Sequence, residues 1–74
     1  MAQTPSELTA ETVRVELARR RISGRKMARA LGWSYTTTAR RLSGEYPFDI
    51  DELAAVAAFL GIPTAALLPA DLAA

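Results

Sequence analysis

The nine basic residues of the chain all lie between Arg14 and Arg41, although the overall net charge is only +1. Within residues 14–44 the single acidic residue is Glu16, so this segment carries a net charge of +8. The other seven acidic residues lie in stretches that contain no basic residue. A surface that only needs to stay soluble usually mixes both signs. The separation therefore predicts a face for a polyanion, and a solvated helix surface is the alternative.

A run of hydroxyl and aromatic side chains lies inside this basic segment, and Arg40 follows it. Short hydroxyl groups and an aromatic ring can approach base edges, thymine methyl groups or backbone oxygens without charge repulsion. An arginine can donate two hydrogen bonds to O6 and N7 of a guanine. Tyr35, Thr36, Thr37 and Arg40 are therefore candidates for contacts with the bases of duplex DNA.

Two residue types that carry much of enzyme chemistry are absent, since the chain has neither cysteine nor histidine. This excludes disulfides and thiolate metal sites and removes the commonest metal ligand and general base. The acids lie mainly at helix starts and in one loop, so no nucleophile–base pair is visible. We expect neither enzymatic activity nor a metal, cofactor or small-molecule ligand.

The hydrophobic pattern gives no sign of a membrane or export segment. No apolar run approaches the roughly 20 residues that cross a bilayer, and the initial residues MAQTPSEL lack a signal-peptide core. We expect a cytoplasmic protein with no membrane partner.

Capping signals divide the chain into helices. Thr4 to Glu7 has the pattern of a capping box, and so does Asp49 to Glu52. Ser23 and Ser34 can cap two short helices between them, and glycines stand where three of the helices should end. These signals predict helices at about 5–20, 25–31, 35–42 and 50–60, and a short fifth turn or helix at 64–68.

With 74 residues the chain should form a single all-α domain spanning residues 1–74, with a flexible tail at 69–74. No window alternates with the period of a strand. The expected core consists of the larger apolar side chains: Leu8, Val13, Leu17, Ile22, Met27, Leu31, Trp33, Leu42, Leu53, Val56, Phe59 and Leu60. On the first helix, Leu8 or Thr9 recurs with Val13 and Leu17 on one face.

The second and third predicted helices are joined by only Gly32-Trp33-Ser34, which is typical of a helix-turn-helix unit, here at about 23–44. Ala28 precedes Gly32 by four residues, where the two helices would cross closely. Arg25 and Lys26 at the start of the second helix are unfavourable beside the positive end of its dipole. Their position is explained if this end of the helix faces phosphate.

The segment SGRKMARALGWSYTTTARRLSGEYPFDIDELAAVAAFLGIP resembles the lambda-repressor and Cro-like helix-turn-helix family. The shared features are Ala28, Gly32, Ser34, Gly44 and the later DELxxxAxxLGI pattern. The resemblance implies a compact five-helix domain that acts on DNA, commonly as a dimer. It departs from the family at Gly24, where a phosphate-binding glutamine is common, and at Thr38, where valine or isoleucine is usual.

The polar Thr38 suggests a shallower contact, with Leu42 carrying more of the packing. The resemblance also implies that Ser34, Tyr35, Thr36 and Arg40 face the major groove, with Thr37 at the edge of that face. The candidates for phosphate contacts are Arg25, Lys26, Arg29, Arg41 and Ser43 within the unit, and Tyr46 just after it. For Arg41, an ion pair with an acid of the fourth helix is the alternative, and Trp33 is interpreted as core.

The leading hypothesis is a sequence-specific transcriptional regulator, a phage or bacterial repressor of the Cro type, that inserts helix 35–42 into the major groove of double-stranded DNA. A homodimer through the apolar segment 62–72 would provide two-fold binding, with Leu67, Leu68 and Leu72 as its contacts. The alternative is a protein-interaction module, such as an antitoxin or anti-repressor. It would bind a basic partner through Glu45, Asp49, Asp51 and Glu52.

Overall fold

The computed structural model describes residues 2–73, and within this range all regular secondary structure is helical. The chain forms α1 (Pro5–Arg19), α2 (Gly24–Leu31), α3 (Tyr35–Ser43), α4 (Ile50–Leu60), a 3-10 helix (Thr64–Leu67) and α5 (Ala70–Ala73). The predicted all-α class is confirmed, and the four longer helices begin within one residue of their expected starts. None of the helices in residues 2–73 is long and apolar enough to span a membrane.

Each of the four longer helices begins at a side chain that accepts a hydrogen bond from its first turn, as the sequence predicted. In α1 the Glu7 amide donates to Thr4 Oγ1 over 3.2 Å, while the Thr4 amide donates to the Glu7 carboxylate over 2.8 Å. Asp49 and Glu52 form the same reciprocal pair at α4. Ser23 and Ser34 cap α2 and α3. A cap of this kind is worth about 1 kcal/mol, so helix starts are specified locally.

The turn between α2 and α3 depends on Gly32, which has a φ of +72°. This left-handed conformation costs little only for glycine, and it lets the Trp33 amide donate to the Ala28 carbonyl over 2.9 Å. The end of α1 reaches a similar conformation without glycine, since Arg21 has a φ of +55° there. The residue type of Arg21 did not predict this conformation.

The core lies between α1, α2, α4 and the 3-10 helix, and it includes most of the expected side chains. The core position predicted for Leu8 is wrong, because Leu8 is exposed and Thr9 is buried, so it is Thr9 that lies on the inner face of α1 with Val13 and Leu17. Phe48 and Leu67 were not expected in the core but belong to it. The buried cluster is Ala10, Val13, Leu17, Met27, Phe48, Leu53, Val56, Ala57, Leu60 and Leu67. Ile22, Leu31, Trp33, Leu42 and Phe59 pack around it, partly buried.

The expectation of a shallow contact at Thr38 is wrong, because this side chain is fully buried while Leu42 is only half-buried. Thr38 Oγ1 donates to the Ser34 carbonyl over 2.9 Å, so the hydroxyl is satisfied inside α3. The remaining methyl group and branched Cβ can then pack much as valine would.

Pro69 does not leave an irregular end, because the chain makes a further helical turn at Ala70–Ala73. The Pro69 carbonyl accepts from the amides of Leu72 and Ala73 at 2.9 and 3.1 Å. The predicted flexibility of residues 69–74 stays a prediction. Residues 1 and 74, the two ends of the predicted domain, lie outside the described residues.

Replacing Leu67 by alanine should lower the free energy of unfolding by about 2–5 kcal/mol, because the side chain is 0% exposed and its loss leaves a cavity. Urea denaturation followed by circular dichroism measures the effect. The matched control is Leu72→Ala in the same segment, where the side chain is 55% exposed and the change should stay within about 0.5 kcal/mol. Equal losses in the two variants would contradict the core position of Leu67.

Candidate nucleic-acid interface

The two helices α2 and α3 pack directly against each other across the turn Gly32–Ser34, as predicted for a helix-turn-helix unit. Ala28 is 2% exposed, which agrees with its expected place where the helices cross. Gly24 also lies at the contact, since a Cβ atom there would be 2.8 Å from Leu42 Cδ1. The two helices approach closely because both positions carry little or no side chain.

The candidate base-contacting residues lie on an exposed surface of α3, which we call the α3 face: Ser34, Tyr35, Thr36, Thr37 and Arg40. Ser34 is the N-cap, and its hydroxyl oxygen accepts from the Thr37 amide over 3.1 Å. Thr36 and Arg40 are four residues apart and therefore share one side of the helix. Buried Thr38 holds the opposite side against the domain.

Three candidate phosphate contacts on α2 line a shallow open groove, which we call the α2 groove: Arg25, Lys26 and Arg29, with Ser23 and Ala30. The first turn of α2 contains no acidic residue. The positive end of the helix dipole and three exposed cations thus face the same solvent region. Such a groove favours an anion.

The end of α3 carries a second basic cluster around Tyr46, whose ring is 45% exposed. The guanidinium groups of Arg40 and Arg41 lie 5.6 and 5.8 Å from the ring centroid. The Ser43 hydroxyl donates to the Arg40 carbonyl over 3.0 Å and accepts from the Glu45 amide over 3.2 Å. In this arrangement the Ser43 proton is engaged within the loop, so its phosphate contact stays a prediction that requires the hydroxyl to turn.

Arg41 forms an ion pair with Glu52 of α4, with 3.2 Å between Nε and Oε1. This is the alternative that the sequence left open for Arg41. The pair is about three-quarters buried on both sides, and it ties the end of α3 to the start of α4. Phosphate contact by Arg41 would have to use the NH groups that Glu52 does not engage.

Arg14 has a role that sequence reasoning missed. Its guanidinium donates to the Leu42 carbonyl near the end of α3. A cation is favourable at this end of a helix dipole. The signal available in the sequence was the position of Arg14 at the edge of the basic segment, which indicates charge but does not identify a partner 28 residues away.

Glu16, the single acid of the basic segment, pairs with two arginines at the end of α1. Its carboxylate oxygens lie 3.2 Å from Arg19 and 2.5 Å from Arg20. The hydrogen bond from Arg20 holds the pKa of the Glu16 carboxyl below its ordinary value, and the charge of Arg19 acts in the same direction. These two arginines are thus partly neutralised, unlike the cations of the α2 groove, for which no ion pair is found in residues 2–73.

The fold and the site together define a small helical domain with a helix-turn-helix unit, an exposed polar α3 face and an adjacent basic groove. The chain belongs to the BetR domain family, whose model matches residues 4–74. Its fold is similar to the crystal structure of the DNA-binding domain of BldD, with a TM-score of 0.77 and 20% sequence identity. That similarity covers 93% of this chain and 100% of the other. No curated protein matches the sequence.

Acid should destabilise the domain partly through Glu16, whose pKa is lowered in the folded state. A carboxyl of this kind contributes stability above its unfolded pKa and loses it as the pH falls through the folded value. At pH values below about 4.5, the ordinary pKa of a glutamate, the melting temperature of the domain should therefore decrease. Glu16→Gln should make this decrease smaller, and it should also lower the stability at pH 7. Thermal melts between pH 3 and pH 7 measure this.

The control for the acid experiment is Glu11→Gln on the same helix, an exposed carboxyl that makes no ion pair within the described residues. It should leave stability at pH 7 unchanged. If Glu16→Gln gives the same pH profile as the unmodified chain, the Glu16 ion pairs contribute nothing to folding.

Proposed function

We propose that this chain is a sequence-specific regulator that binds double-stranded DNA with α3 in the major groove, as a phage or bacterial repressor of the Cro type. The observation that carries the proposal is the position of the exposed α3 face beside the basic α2 groove, on a helix-turn-helix fold. BldD supports it by analogy, since the domain of similar fold is a DNA-binding domain.

The division of labour within the unit follows from charge and side-chain length. The α2 groove presents three cations, of which Arg25 and Lys26 lie in the first turn of α2 and Arg29 in the last. Cations suit phosphate oxygens, and such contacts would fix the position of the protein on the duplex. The α3 face presents hydroxyl groups, an aromatic ring and Arg40, which suit base edges. Tyr46 lies between Arg40 and Arg41 and can add a hydroxyl donor for phosphate at the end of α3.

The alternative of a protein-interaction module depends on the acidic residues after α3. Two of the four are engaged within the fold, since Asp49 caps α4 and Glu52 accepts from both the Asp49 amide and Arg41. Glu45 and Asp51 are exposed. Two separate carboxylates give a basic partner much less to bind than the α2 groove offers to an anion, so DNA binding is the better supported function.

Self-association through residues 62–72 remains part of the proposal, but with different contacts. Leu67 is buried in the core and Leu68 is half-buried, which leaves Leu72 as the exposed leucine of this segment. Leu72 lines an apolar groove with Ile50, which is 72% exposed, and with Phe48 and Pro69. A second copy that covers this groove would give the two-fold arrangement that a palindromic site requires.

The Leu72→Asp variant should dissociate such a dimer while leaving the core intact, because a charge placed in an apolar contact is costly to desolvate. Sedimentation equilibrium of the two proteins measures the change, and thermal melts confirm that the monomer folds. If the unmodified chain sediments as a monomer at all concentrations, both free and on DNA, self-association through this segment is refuted.

Selection of binding sites from random duplexes tests the function itself. We expect one motif to be enriched. When the logarithm of its association constant is plotted against the logarithm of the salt concentration, the slope should be about −0.9 for each phosphate contact. Arg40→Ala should relax the preference at one base position by roughly 1–3 kcal/mol. Lys26→Ala should weaken all sequences about equally and reduce the salt slope by about 1.

A matched control for the selection is Glu45→Gln, which alters an exposed acid of the proposed alternative and should leave the motif unchanged. Failure of the unmodified chain to enrich any motif would refute sequence-specific binding. The reverse pattern for Arg40 and Lys26 would mean that α3 contacts phosphate and α2 reads bases.

A further inference from the structure

Arg25 does not extend freely into solvent, because its guanidinium lies over the ring of Tyr35. The distance from Arg25 Cζ to the ring centroid is 4.1 Å, much shorter than the 5.6 and 5.8 Å found for the two arginines at Tyr46. Arg25 is the second residue of α2 and Tyr35 is the first of α3. The contact therefore joins the α2 groove to the α3 face.

Gly24 lies directly beside two side chains of α3. A Cβ atom at this position would be 2.8 Å from Leu42 Cδ1 and 3.8 Å from Tyr35 Cε1. A larger residue would have to turn the end of the Leu42 side chain aside, whereas Tyr35 lies at ordinary contact distance. The first position of α2 therefore faces α3, and the side chain of the next residue, Arg25, reaches the Tyr35 ring.

A stacked arginine keeps its hydrogen-bonding edge available. The guanidinium is planar and its N–H groups point outward in that plane, so a ring that covers one face leaves the donors free. Arg25 takes part in no ion pair within residues 2–73, where the pairs found involve Arg19, Arg20 and Arg41. Tyr35 itself is 44% exposed, so the stacked pair has an accessible edge.

We propose, on the basis of the DNA-binding function above, that Arg25 and Tyr35 together read a pyrimidine–guanine step. The guanidinium of Arg25 donates to O6 and N7 of the guanine, and the Tyr35 ring lies against the C5 edge of the neighbouring pyrimidine, where thymine carries its methyl group. Such steps unstack and kink easily, which lowers the cost of admitting a ring beside the base. Arg25 is then a base-reading residue, in place of the phosphate contact that the sequence suggested.

The contact with Tyr35 places the Arg25 guanidinium against an aromatic ring beside the α3 face, a position that attraction to phosphate alone does not require. A phosphate is held nearly as well by lysine, which supplies the same charge from a flexible stem. A guanine edge read by two parallel N–H groups requires the planar fork of arginine. The substitution Arg25→Lys therefore keeps the charge and removes only the feature on which the proposal depends.

The test is site selection from random duplexes, followed by binding titrations on single-base variants of the enriched site, with the unmodified chain and three variants. The unmodified chain should prefer guanine at one position of each site. Arg25→Lys should lose that preference by about ten- to a hundredfold while the salt slope stays the same. Tyr35→Leu should lose part of the guanine preference and also the preference for the neighbouring pyrimidine. Tyr35→Phe keeps the aromatic ring and should retain both base preferences.

The matched control is Arg21→Lys, the same change at an exposed arginine outside the α2 groove and the α3 face, which should leave the selected motif unchanged. Circular dichroism checks that each variant is folded. If Arg25→Lys enriches the same motif with the same guanine preference, Arg25 is a phosphate contact and the inference is refuted while the proposed function stands. If the unmodified chain enriches no motif, both are refuted.

Discussion

The close approach of α2 and α3 is the constraint on which the other features of the domain depend. It depends on the small buried Ala28 and on the left-handed turn at Gly32, and Gly24 leaves the space that the end of the Leu42 side chain fills. It also needs a side of α3 that can be buried, which Thr38 provides by satisfying its own hydroxyl within the helix. Once these conditions hold, the opposite side of α3 is left exposed beside the cations of α2.

The arrangement of the helices could be predicted because its signals are local. Thr4, Ser23, Ser34 and Asp49 each act within three residues, and Gly32 acts through its own backbone. Hydrogen bonds between residues this close in the chain can be predicted from the order of the residue types. The predicted helix starts were therefore correct to within one residue.

Most of the details that could not be predicted depend on partners that are not neighbours in the chain. Leu67 looked like one of several apolar tail residues, and only the packing of the 3-10 helix against the core makes it different from Leu72. Arg14 and Arg25 looked like equivalent exposed cations, yet one donates to Leu42 and the other stacks on Tyr35. Charge patterning indicated the segment that holds the candidate interface, but it could not assign individual arginines to their contacts.

One oxygen of Glu52 accepts from both the Asp49 amide and Arg41, so a single atom couples the start of α4 to the end of α3. A substitution at Glu52 would remove both bonds in one step, although Asp49 would still accept from the amide of residue 52. The side chains of Thr36 and Thr37 make no hydrogen bond within the described residues and are exposed. The domain therefore combines a coupled framework at Arg41 and Glu52 with a surface at Thr36 and Thr37 that can change without disturbing it.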